Sequence, residues 1–138
     1  MLWAAEGSEG MTNPPPGMEQ IQQKYGTLEE QQVNEDSINA YYKEAIRIRN
    51  TYPEIARGTQ TAVELADGDL IVIAKTYEGA VTYVVVNNSE ETKTVELTGT
   101  PMEGTKLVDK LVTMPSTQDI TLKGDTLTLP AYGVCILK

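Results

Sequence analysis

The residues whose type and spacing could do chemistry are acids in close pairs: Glu29 with Glu30, Asp67 with Asp69, and Glu90 with Glu91. Two carboxyl groups can divide nucleophile and acid–base work when they stand about 5–5.5 Å apart. Each of these pairs falls on a polar turn or helix surface, where solvation is the expected state. The Asp-Gly-Asp run at 67–69 also suggests a calcium loop, but the further oxygen ligands are missing and a hairpin turn fits it better. There is no histidine in the chain, which removes Ser–His and Cys–His catalysis and histidine-bearing zinc sites. Cys135 is the only cysteine. It sits in the alternating run GVCILK, where a small buried hydrophobe is the expected role. No catalytic residue and no metal ligand is assigned.

Charge narrows the partners. The net charge is −9 over 138 residues, and the basic residues are scattered, so nucleic acid and anionic membrane are poor partners. No apolar run approaches the roughly 20 residues that cross a bilayer. The N-terminus lacks the charged-then-apolar pattern of an export signal.

The elements that position these residues change character along the chain. The first 26 residues read as loop, broken by Gly7, Gly10, Pro14, Pro15, Pro16, Gly17 and Gly26. A short helical turn is expected over 27–33, because Thr27 and Glu30 have the spacing of a capping box. A longer amphipathic helix follows over 37–52. Asp36 or Ser37 can cap it, Ile38, Tyr41, Tyr42, Ala45 and Ile46 recur at three- and four-residue spacing, and Ile48 and Tyr52 widen the stripe. Lys43, Arg47 and Arg49 gather toward its C-terminal half, which the helix dipole favours, and Pro53 ends it.

From residue 60 the period becomes two. Val63 and Leu65 alternate with polar residues, and strands are expected over 70–77, 80–87, 92–98, 105–109, 120–122, 126–129 and 133–137. The first three connections read as tight, with Asp-Gly and Glu-Gly as hairpin signals. The expected fold is mainly β: an antiparallel Greek-key sandwich of about seven to eight strands after a loop and one or two helices. With no phenylalanine, Val, Ile and Leu must fill its core. Tyr77, Tyr83 and Tyr132 are the large members, rings inward and hydroxyls at a sheet margin.

The helix YYKEAIRIRNTYPEIARG, the meander DGDLIVIAKTYEGAVTYVVVNNSEETKTVEL and the closing strand LTLPAYGVCIL together resemble the C-terminal part of glycoside hydrolase family 13 α-amylases. The resemblance implies that 1–36 derives from the last βα loop of a TIM barrel, that 37–52 is its last helix, and that 53–138 is the terminal β-sandwich, domain C. Tyr132 corresponds to an aromatic of the family's final strand. The chain is far short of the roughly 250 residues of a barrel. The family's catalytic carboxylates lie on barrel strands upstream of everything matched, so none transfers here.

What the resemblance implies is a non-catalytic fragment of a retaining enzyme acting on starch or related α-glucans. The missing barrel is its partner, and Ile38, Tyr41, Tyr42, Ala45 and Ile46 are the interface. Self-association through that exposed surface is the other outcome. The fragment needs no cofactor, although calcium would fit the parent enzyme, and the parent would be extracellular or on the cell surface. Trp3 becomes a candidate for stacking on a sugar ring, weighed against a simpler role as an anchor on the barrel. The alternative is a starch- or maltooligosaccharide-binding module using Tyr77 and Tyr83. Residues of opposite parity face opposite sides of a sheet, which counts against that pair.

Overall fold

The computed structural model describes residues 15–19, 24–113 and 119–138. The chain forms two compact units, Met1–Lys43 and Glu44–Lys138, whose division falls within one helix.

In the first unit, α1 covers Leu28–Gln32 and the capping box forms as its sequence specifies. Thr27 Oγ1 accepts from the Glu30 amide at 3.3 Å, and Glu30 Oε2 accepts from the Thr27 amide at 2.7 Å. Ser37, rather than Asp36, caps α2 (Ile38–Thr51): its Oγ accepts from the Ala40 amide at 3.1 Å and donates to the Gln31 carbonyl at 2.6 Å. Tyr41 and Tyr42 meet edge to face, with centroids 6.5 Å apart.

The second unit holds the rest of α2, a short helix α3 (Pro53–Arg57) and eight strands. The proline that ends α2 opens α3 in its first turn, where the missing N–H costs nothing. Gly58 closes α3, its amide donating to the Glu54 carbonyl at 2.8 Å. A Cβ there would stand 2.3 Å from that oxygen and 2.8 Å from the Thr76 carbonyl, so only glycine allows the chain to turn so directly into the sheet.

The strands are β1 (Thr59–Val63), β2 (Leu70–Tyr77), β3 (Ala80–Asn87), β4 (Lys93–Glu96), β5 (Leu107–Leu111), β6 (Thr121–Lys123), β7 (Thr126–Leu129) and β8 (Val134–Leu137). They build a five-stranded sheet, β1-β2-β3-β8-β5, and a three-stranded sheet, β4-β7-β6, with every described pairing antiparallel. This is the expected Greek-key sandwich. Glu78 and Gly79 make the one two-residue connection among the first three, both with positive φ as a type I′ hairpin requires. The other two are looser than expected: residues 64–69 and 88–92 are loops.

Between the sheets lies an aliphatic core including Val72, Val85, Leu97, Leu127 and Leu137, all at most 2 % exposed. Cys135 belongs to it, and burial pushes its thiol up to about 12, which leaves it inert. Tyr83 packs against this core. Tyr132 departs from expectation: it is 45 % exposed, in the turn before β8. Its φ of +55° turns the chain there and takes the ring off the alternation of the strand.

Candidate functional site

The five-stranded sheet has a second covered face. Register places Val84 opposite Ile136 and Val86 opposite Val134, so these side chains point away from the sandwich core. The second half of α2 and α3 lie over them. Ile48 of α2 is 6 % exposed. With Ala45, Ile55, Val84, Leu111 and Ile136, it surrounds a partly open apolar hollow of about 140 Å³.

Two polar devices tie the helices to this face. The first depends on a bulge in β5: Leu107 pairs with Leu137, but Asp109 rather than Val108 pairs with Ile136. Without that extra residue Asp109 would share the core side with Leu107. The bulge delivers its carboxylate to the helix side instead. There Arg47 Nη2 donates to Asp109 Oδ1 at 2.6 Å and to Glu44 Oε1 at 2.6 Å. The Tyr52 hydroxyl lies 3.1 Å from Asp109 Oδ2 and 3.2 Å from the Val108 carbonyl. Partial burial works to raise the Asp109 carboxyl, but hydrogen bonds from Arg47 and Tyr52 outweigh it and hold the group below its ordinary range. Burial, and then Asp109, push the Tyr52 phenol up.

The second device is Glu54, a carboxylate only 4 % exposed at the start of α3. Lys138 Nζ donates to its Oε1 at 2.6 Å and is the main cause of its lowered pKa. Its other oxygen and the Oγ1 of Thr82, on the same face of β3, are both buried, and hydrogen bonding from Thr82 adds a smaller lowering of the Glu54 pKa. Sequence reading missed both devices. Arg47 and Asp109 are 62 positions apart, and Glu54 looks like any acid in a first helical turn.

The residues singled out for an interface are divided between inward and outward positions. Ala45 lines the hollow, and Tyr41 is half-buried, its phenol raised by burial and by Tyr42. Ile38, Tyr42 and Ile46 are 42 %, 65 % and 55 % exposed. Trp3 lies outside the described residues. Tyr77 pairs with Ala80 and Tyr83 with Ala74, which puts the two rings on opposite faces of the sheet, so they form no shared platform. Among the carboxylate pairs, Asp67 and Asp69 share Lys93, whose Nζ is 3.9 Å from Asp67 Oδ2 and 2.7 Å from Asp69 Oδ2. The cation between those acids is the chain's own. No group of metal ligands occurs among the described residues.

No family model and no curated protein matches the sequence. Solved structures do. Eubacterium rectale Amy13B is 30 % identical and superposes with a TM-score of 0.86, over 100 % of this chain and 26 % of its own. Trehalulose synthase MutB from Pseudomonas mesoacidophila is 20 % identical, with a TM-score of 0.62 over 81 % of this chain and 19 % of its own. A MutB mutant from crystals soaked with trehalulose gives 20 % identity and a TM-score of 0.71, over 99 % of this chain and 24 % of its own. The chain thus spans about a quarter or less of the length of these structures. Its fold is that of a C-terminal accessory portion of amylase-like enzymes. These neighbours are glycoside hydrolase family 13 enzymes, and a match over all of this chain but a minor part of theirs is that of a C-terminal fragment of such an enzyme.

Proposed function

We propose that the chain is the non-catalytic C-terminal domain of an α-amylase-like enzyme acting on starch or related α-glucans, and that it packs against and stabilises that enzyme's (β/α)8 barrel. The observation that carries this reading is the outer side of α2. Ile46 stays 55 % exposed beside helical neighbours, Ala45 and Ile48, that are committed to the sheet. In the first unit, Ile38 and Tyr42 are also exposed. Large apolar side chains left exposed on a helix suit a second helix or a barrel wall. In this reading residues 37–52 complete the barrel, 53–138 form the domain that braces it, and the parent acts outside the cell or on its surface.

The test is a family 13 barrel expressed with and without this chain as its C-terminal continuation. The barrel alone is expected to be poorly soluble or to melt lower, and Ile46→Asp in the joined protein to reproduce much of that loss. The isolated chain should release no product from starch. Cleavage that co-purifies with the isolated chain, or a barrel indifferent to its presence, would overturn the proposal.

A further inference from the structure

Strand β1 pairs with β2 alone and forms one margin of the five-stranded sheet. Which of its backbone groups are left over follows from the hairpin between β2 and β3. A two-residue turn closes on its flanking pair, so Tyr77 and Ala80 exchange both hydrogen bonds. Alternation then turns Ile71, Ile73, Lys75 and Tyr77 toward β3, and Val72, Ala74 and Thr76 toward β1. Those three face Val63, Thr61 and Thr59. Gln60 and Ala62 therefore direct their N–H and C=O groups outward, and no backbone hydrogen bond among the described residues reaches them from that side.

The other sheet margins are guarded. β5 carries its bulge, Asp109 and Lys110. β4 has Lys93 and Glu96 at its two ends, and β6 is three residues long and ends in Lys123. Bulges, charges and short length are the devices that keep edges from pairing. β1 has neither charge, proline nor bulge: it reads TQTAV, its register against β2 is unbroken, and all but Val63 are exposed.

An unpaired strand edge has one complement, another extended strand. A second copy of β1 supplies it without conflict. Only residues that both face outward can exchange hydrogen bonds. An antiparallel pair centred on Thr61 meets that condition, setting Gln60 of each copy opposite Ala62 of the other and Thr61 opposite Thr61. Threonine pairs are favourable cross-strand neighbours. Arg57 and Glu64, both exposed, flank the strand at opposite ends. Antiparallel pairing lays the Arg57 end of one copy against the Glu64 end of the other, so the edge is complementary to itself in charge as well. We propose that β1 is a self-association edge, through which two copies of this chain join their five-stranded sheets into one continuous sheet about a two-fold axis. An interface one strand wide is weak and reversible. It does not depend on the barrel-bracing function, which rests on the outer side of α2.

The test is sedimentation velocity of the full chain, from dilute solution up to about 1 mM, where a weak dimer is populated. A reversible dimer is expected at the upper end. Ala62→Pro removes an outward N–H at a position where an edge strand tolerates proline. It should stay monomeric throughout while melting within about 4 °C of the wild type. Thr61→Lys and Thr61→Glu each set like charges opposite one another and should weaken dimerisation about tenfold or more. An equal mixture of the two should restore it, because position 61 faces itself. If Ala62→Pro melts lower than that, the charged pair alone decides. A chain that is monomeric at every concentration overturns the proposal. So does a dimer that survives Ala62→Pro, which would use another surface such as the Ile46 side of α2, or a mixture of the charged variants that stays monomeric.

Discussion

The two faces of the five-stranded sheet are built by opposite rules. The sandwich side is dry and aliphatic, with Val72, Val85, Cys135 and Leu137 each at most 2 % exposed, and its buried amide, Asn87, is fully engaged. The helix side carries a partly open apolar hollow, a bridged arginine and a buried carboxylate held by Lys138. Both are covered, but only one is complete. Close packing specifies a fold, whereas loose packing with polar ties leaves a layer that can adjust.

Truncation should separate the faces most sharply. Leu137 is fully buried in the sandwich core, so Leu137→Ala should cost about 2–5 kcal/mol through lost transfer energy and an unfilled cavity. Ile55 already borders the hollow and is half-buried, so Ile55→Ala should cost only about 1 kcal/mol. Urea unfolding of both variants reads the difference. Equal losses would mean that the helix layer is as integral to the fold as the core.

Next in size is the tie between Glu54 and Lys138. Glu54→Gln keeps the volume and removes the charge. Because Lys138 has a side chain 43 % exposed and can return to water, the loss should be about 1–2 kcal/mol at neutral pH, below that of a fully buried pair. The folded pKa of Glu54 is lowered. Its contribution is therefore present above the unfolded carboxyl value of about 4.3 and disappears as pH falls through the folded value. The stability gap between wild type and Glu54→Gln should be constant near neutrality and close under acid, measured as melting temperature against pH. A gap that persists unchanged at low pH would assign the effect to shape rather than charge.

How far each face could be read from sequence follows from the range of its causes. The core face is written in local alternation, so β2, β3 and β7 fall at the residues where the period of two places them. The capping box of α1 and the Glu78–Gly79 hairpin are also local. The helix face is not. Strand β5 runs over Leu107–Leu111 rather than 105–109, and its bulge is set by pairing with β8 more than 20 positions later. Only that pairing brings Asp109 to Arg47. Tyr132 reads as a core aromatic because LPAYGVCIL alternates, and nothing local announces that the chain reverses its φ there.

The smallest effect concerns the hairpin that joins β2 to β3 and so belongs to both faces equally. Glu78 and Tyr132 are the two described non-glycine residues with positive φ, at +50° and +55°. Their circumstances differ. Glu78 is exposed in a type I′ turn, where asparagine before glycine is the favoured pair. Glu78→Asn should therefore stabilise the domain by about 0.5 kcal/mol, since a left-handed conformation costs an ordinary residue roughly 1–2 kcal/mol and asparagine less. Tyr132→Gly should release strain of the same kind but give up ring contacts as well. A gain at Glu78 with little net change at Tyr132 would show that the tyrosine ring offsets its own strain through contacts at the loop end. A gain at both would show that the ring contacts at Tyr132 do not offset its left-handed strain.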